Sequence, residues 1–112
     1  MGGAVFINNG SPIFESCVFD SNYVNGSGGA IGIRSDLATV RRTHIRSSTF
    51  TNNMSYSSQN VDPAGSAIMI TGDATATIVN SIFENNISET SEQNVGGKGA
   101  IVTDSEWNSN TP

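Results

Sequence analysis

The chain has 112 residues, 36% of them hydrophobic and 13% charged, with a formal net charge of −5 at pH 7. That length holds at most one ordinary domain with a thin core, and the abundance of Gly, Ser, Thr and Asn argues against a helical bundle and against a charge-driven disordered tail. The acidic balance disfavours nucleic acid and anionic membranes as partners, and no run approaches the roughly 20 apolar residues of a membrane span, so direct membrane insertion is not expected.

In chain order, Met1 is followed at once by "GGAV" from Gly2 instead of an apolar leader core, so an export signal is expected outside this sequence. The run "AVFI" has the alternation of a short strand, and Phe14 leads into "CVFDSN", which contains Cys17, Phe19 and Asn22. Cys17 is the sole cysteine and has no internal disulfide partner. Tyr23 to Ser27 reads as a loop. The pattern restarts with "GGAI" from Gly28, passes through "RRTHIR", and reaches Ile45, Ser48, Phe50 and Asn53. A second loop is predicted from Ser55 to Ala64. Then come "GSAI" from Gly65, the strand-like "AIMI" and "ATIVNSIF", and the set Ile78, Ser81, Phe83 and Asn86. A third loop, Ser88 to Val95, precedes "GKGAI" from Gly97 and the set Val102, Ser105, Trp107 and Asn110.

The chain therefore repeats. Phe19, Phe50, Phe83 and Trp107 share one register, with Asn22, Asn53, Asn86 and Asn110 three residues later. The units run approximately 2–27, 28–64, 65–95 and 96–112, as a single segment with polar, Gly- and Ser-rich stretches absorbing the length differences. Helical repeats need long 3.6-periodic apolar faces, which Gly, Pro and Ser/Asn clusters interrupt throughout. Short strands stacked about 4.8 Å apart explain the register directly, because equivalent side chains then lie on one another. The aromatics become an internal ladder. The Asn residues become a corner ladder, bonding to backbone and taking the left-handed turn conformation, and the Gly pairs take the opposite corner.

"GGAI" followed by segments such as "STFTNN" resembles the repeats of chlamydial polymorphic outer-membrane proteins and related right-handed β-helix regions of surface proteins. The resemblance covers most of the chain. It implies an all-β, right-handed parallel β-helix of about four coils, extracellular or displayed on the cell surface, serving adhesion or structure without a cofactor. Two departures stand out: Ser66 replaces the second Gly of the third unit, and Val102 follows Ala100 by two residues where the other units leave ten to fifteen. An incomplete last coil is the expectation.

Chemistry-bearing residues are sparse. The acids Glu15, Asp20, Asp36, Asp62, Asp73, Glu84, Glu89, Glu92, Asp104 and Glu106 fall mostly in loops. Asp20 and Glu84 are expected on one outer face with Thr51 between them, so no catalytic carboxylate pair is predicted and the chain does not read as an enzyme. A polysaccharide-binding or polysaccharide-degrading β-helix is the rival, for which Tyr23, Tyr56 and Trp107 are the stacking platforms. Arg42, His44 and Arg46 alternate in "RRTHIR" and so share one strand side, a patch for a sulfated or carboxylated sugar or an acidic loop, weighed against a plain solvated face. His44 has no second His or Cys to join it as a metal ligand, and no metal site is predicted. "GGKGAIVTD" lacks the Asp of a calcium nonapeptide, and "TATI" at Thr75 has no repeated Thr-x-Thr partner of the ice-binding kind. Sequons stand at Asn9, Asn25, Asn53 and Asn86, which are glycan acceptors if the source has a eukaryotic secretory pathway. No amphipathic capping helix flanks the repeats. The chain is thus expected to be a piece of a longer solenoid or a stacking subunit, its partners being adjacent coils or other copies, with surface glycans or host proteins as further candidates.

Overall fold

The computed structural model describes residues 2–36, 41–56, 66–88, 94–97, 99–103 and 105–108. Among them the chain is all-β: β1 (Val5–Asn8), β2 (Ile13–Glu15), β3 (Val18–Asp20), β4 (Tyr23–Asn25), β5 (Ile31–Ser35), β6 (Arg41–Arg46), β7 (Thr49–Thr51), β8 (Met54–Tyr56), β9 (Ile68–Gly72), β10 (Ala74–Val79), β11 (Ile82–Glu84), β12 (Ile87–Ser88), β13 (Val95–Gly97), β14 (Ala100–Thr103) and β15 (Glu106–Asn108). These strands form four parallel sheets built from successive layers of the chain, the first three sheets with four strands each and the fourth with three. The orders are β1-β5-β9-β13, β2-β6-β10-β14, β3-β7-β11-β15 and β4-β8-β12, here the first to fourth sheets. Stacked parallel sheets of this kind are consistent with a parallel β-solenoid.

The strands are short because single residues in the left-handed region break them at fixed places. Ser16, Ser47 and Asn80 (φ 55, 49 and 51) turn the chain from the second sheet into the third, and Ser21, Asn52 and Asn85 (φ 58, 55 and 55) turn it from the third into the fourth. Short polar side chains tolerate this conformation where β-branched ones do not. The corner expectation is therefore corrected by one position: the left-handed residue precedes Asn22, Asn53 and Asn86, which leaves those side chains free to turn inward.

Between the sheets lies an apolar interior. Ile31 and Ile68, Ile33 and Ile70, and Ile45 and Ile78 are buried one above another, with Phe14 and Val102 packed beside the last pair. Each isoleucine meets its own kind about one strand spacing away, so neighbouring layers present matching shapes. Gly28 (φ 76) opens the corner into the first sheet, and a Cβ there would strike the carbonyl of Ile31. Glycine meets both requirements at that point.

Two expectations about the units change. In the first sheet, Ala4 and Val5 donate their N–H groups to Ala30 O, Ala30 and Ile31 to Ala67 O, and Ala67 and Ile68 to Asn94 O, all at 2.9–3.0 Å. Asn94 and Val95 therefore open the fourth layer instead of closing the third unit, and Val95 pairs with Ile68. Ala100 and Ile101, aligned by sequence with Ala67 and Ile68, instead pair with Ala76 and Thr77 in the second sheet. The reason is the glycine run: Gly97 (φ 92) and Gly99 (φ 79) make a tight corner from the first sheet to the second, so that "GKGAI" imitates a signature belonging to a different corner. Counted from Asn94, the spacing to Val102 becomes eight residues, close to the ten of the first unit.

The second change concerns the loops. Tyr23–Asn25, Met54–Tyr56 and Ile87–Ser88 are strands of the fourth sheet, and Ser55 is buried. The predicted loops therefore shrink to Gly26–Ser27 in the first layer, while 57–65 and 89–93 lie outside the described residues. Strands of two or three residues set among Asn, Ser and Gly are too short to show alternation.

Candidate functional site

Three inner columns and three outer faces carry the chain's distinctive chemistry. In the aromatic column, Phe19 and Phe50 stack with centroids 4.8 Å apart at 7°, Phe50 and Phe83 at 4.8 Å and 4°, and Phe14 meets Phe19 edge-on at 5.8 Å. Phe50 and Phe83 are fully buried. Trp107 continues the column along the backbone, its Cα paired with that of Phe83. Asn110 lies outside the described residues.

The Asn column is a chain of amides. Asn22 donates both its backbone N–H and Nδ2 to Asn53 Oδ1 at 3.0 Å, and Asn53 does the same to Asn86 Oδ1 at 2.9 Å. In the other direction Asn53 Nδ2 donates to Phe19 O and Asn86 Nδ2 to Phe50 O, each at 2.9 Å. Asn86 Nδ2 also reaches Asn94 Oδ1 at 3.0 Å. Asn94 was not expected in this network, and only the first-sheet register places it there. Asn53 and Asn86 are fully buried with these donors engaged, so a glycan on either nitrogen is incompatible with the packing, and the sequon reading of both is corrected. Asn25 is exposed on β4, and Asn9 (φ 59) is half-buried, accepting at Oδ1 from the Asp36 N–H at 2.8 Å.

A third column runs through Cys17, Ser48, Ser81 and Ser105. Cys17 N–H donates to Ser48 Oγ at 3.2 Å, Ser48 N–H to Ser81 Oγ at 3.3 Å, and Ser81 N–H to Ser105 Oγ at 3.2 Å. The Ser48 and Ser81 hydroxyls in turn donate within their own layers, to Arg46 O and Val79 O. The recurrence of Ser was visible in sequence, but its role as an acceptor for the layer before it was not.

On the outside of the third sheet, Asp20, Thr51 and Glu84 form one column. Asp20 Oδ1 accepts from Ser21 Oγ at 2.9 Å, Thr51 Oγ1 at 3.0 Å and Asn52 Nδ2 at 3.4 Å. Those three donors, Ser21 first, hold its carboxyl below the ordinary value, against a smaller desolvation effect. Thr51 separates the two acids, and among the described residues no cluster of His, Cys, Asp or Glu is arranged to hold a metal ion.

On the outside of the second sheet, β6 alternates as the spacing predicts. Thr43 and Ile45 are fully buried, so Arg42, His44 and Arg46 project outward together. Arg42 Nη1 donates to Thr77 Oγ1 at 3.1 Å. Arg34, on the first sheet, is instead paired with Asp36 at 3.0 Å. The outside of the fourth sheet carries Tyr23, Met54 and Ile87 in one column with Tyr56 beside it, so the two tyrosines share a face. Inside, Ser35 Oγ, Arg41 Nε, Thr43 Oγ1 and Ser55 Oγ are buried without a hydrogen-bond partner.

Comparison with protein-family models, with curated proteins and with solved structures returned no match.

Proposed function

We propose that the chain is a right-handed parallel β-helix of about four coils, working as a non-catalytic structural or adhesive module outside the cell or on its surface. In this reading it associates end to end, with flanking coils of a longer protein or with other copies in a filament. The observation that carries the proposal is the distribution of exposed apolar side chains. Phe6, Ile13, Val18 and Tyr23 are 50%, 58%, 70% and 57% exposed, and they ring the first layer with one residue from each of its four strands. Three of their partners one layer on, Gly32, His44 and Thr49, are not apolar, whereas Met54 and the exposed Ile87 continue the Tyr23 column, so the ring of four is complete only at that end of the stack.

An apolar rim around strands whose outer edges are unpaired among the described residues favours burial against another layer. The edge strands contain no Lys or Pro to oppose it. Handedness and surface location are supported by the resemblance of the "GGAI … STFTNN" repeats to surface β-helix proteins, and the separation of Asp20 from Glu84 supports the non-catalytic part.

Analytical ultracentrifugation with electron microscopy tests the reading. Species that lengthen with concentration are expected, as is their loss when Val18→Asp and Phe6→Asp place charge on the rim. Head-to-tail contacts of this kind do not close, so open fibres are expected instead of rings. A compact monomer that stays soluble at high concentration, with its first layer protected from hydrogen exchange, overturns the proposal.

A further inference from the structure

We infer that the outer face of the second sheet, centred on Arg42, His44 and Arg46, binds an extended sulfated glycan. This supplies a ligand class for the adhesive role proposed above and rests on that reading, but it does not depend on end-to-end association.

Charge placement is the first observation. The chain carries −5 overall and only five Lys and Arg residues, yet two of them, Arg42 and Arg46, share the outer side of β6 with His44. Because Thr43 and Ile45 point inward, Arg42, His44 and Arg46 form a straight outward row about 13 Å long at ~3.3 Å per residue. Acidic residues around the row are few: of its Cα partners on β2 and β10, only Glu15, opposite Arg46, is acidic, while Arg42 and His44 face Thr75, Thr77 and Ile13.

Convergence of donors is the second. Thr77 is the Cα partner of His44, and Arg42 reaches it at 3.1 Å, so the guanidinium is drawn toward the His44 position. Thr77 Oγ1 accepts from Arg42 and keeps its own O–H as a donor. The other guanidinium N–H groups remain available. An oxyanion seated there meets donors from Arg42 and Thr77 beside His44, the arrangement that charge-assisted bonding to sulfate or carboxylate favours.

The shape of the face selects a sugar over a peptide. β10 flanks β6 along its whole length and β2 flanks it from His44 to Arg46, so the backbone beside His44 and Arg46 is closed to an added strand. Recognition must come from side chains on a flat surface. The column Ile13–His44–Thr77–Ile101 places exposed isoleucines at both ends, 58% and 49% exposed, against which the C–H faces of sugar rings pack.

The test is binding of the purified chain to heparin, to chemically desulfated heparin and to poly-glutamate, measured by surface plasmon resonance over a salt series. Heparin is expected to bind with an affinity that falls as salt rises, and desulfated heparin to bind at least about tenfold more weakly. Arg42→Ala/Arg46→Ala is expected to lower heparin affinity about tenfold, two exposed charge contacts being worth severalfold each, while circular dichroism stays unchanged. Arg34→Ala, already ion-paired on another sheet, should bind as the parent does. Absent binding, equal binding of desulfated heparin, or a double variant that binds like the parent overturns the inference. Poly-glutamate binding as strong as heparin binding also overturns it, reassigning the face to an acidic protein. Sedimentation of the same double variant separates the two proposals, since lost glycan binding with intact assembly leaves the end-to-end reading standing.

Discussion

Two sides of the molecule obey different rules of length. From the second sheet through the third to the fourth, the path from Phe14 to Asn22 is matched residue for residue by Ile45 to Asn53 and Ile78 to Asn86. On the side leading through the first sheet, the count from Asn22 to Ile31 differs from that between Asn53 and Ile68, and Ile7 to Phe14 differs from Ile33 to Ile45, although the paired ends are in register. The invariant side contains the Ser and Asn bonds between layers. A side-chain amide must meet one particular N–H, so inserting a residue there misaligns every bond of the corner, whereas a connection outside the ladders changes only loop entropy, about 0.6 kcal/mol per doubling.

The sharpest way to break the invariant side is Phe50→Ala. The ring lies between Phe19 and Phe83 and is fully buried, so a loss of about 3–5 kcal/mol is expected in denaturant unfolding. Phe19→Ala, at the end of the described column, should cost less. Next is Asn53→Ala, which removes the acceptor of Asn22 N–H and Nδ2 and the donor to Phe19 O; about 3 kcal/mol is expected from the same measurement. Ser48→Ala leaves the Cys17 N–H without its acceptor and should cost about 1–2 kcal/mol. The opposite side is probed by adding four Gly/Ser residues within 57–64, where a change below ~1 kcal/mol is expected; a loss as large as that of Asn53→Ala would erase the distinction.

The smallest effect is a pH dependence. Because its hydrogen bonds lower the folded-state value of Asp20, this carboxylate contributes stability above its unfolded value, near 3.8, and loses it as pH falls through the lower folded value. Asp20→Asn should therefore lower stability slightly at and above about pH 5, where the carboxylate's contribution is present, and converge with the parent at the acid end, flattening the dependence between. Unfolding midpoints for both proteins from pH 2 to 5 check the sign.

Legibility in the sequence followed the same division. Phe19, Phe50, Phe83 and their Asn partners could be read because inward positions tolerate few residue types, so the register survives as identity. The fourth sheet could not, since Tyr23–Asn25 and Ile87–Ser88 are too brief to alternate. The fourth layer was misread because glycine serves two different corners, and the string "GKGAI" does not say which. Of the candidate sites, the outward row on β6 was legible from alternation alone. The partnership of Arg42 with Thr77 was not, because 35 residues separate them and only the layer register joins them. Burial of Asn53 and Asn86 was likewise hidden, because a sequon reads the same on either side of a sheet.

The interlayer bonds of the Ser column, and the backbone bonds of the Asn column, all run one way. The N–H groups of Cys17 and Asn22 find their acceptors in Ser48 and Asn53, residues 31 positions further along the chain. In a chain delivered N-terminus first, these two N–H groups stay hydrated until the following layer supplies Ser48 and Asn53. These bonds therefore close only 31 residues after their donors have emerged. A chain delivered from the other end meets the reverse situation: every new layer arrives over acceptors already in place and can settle on them as a template.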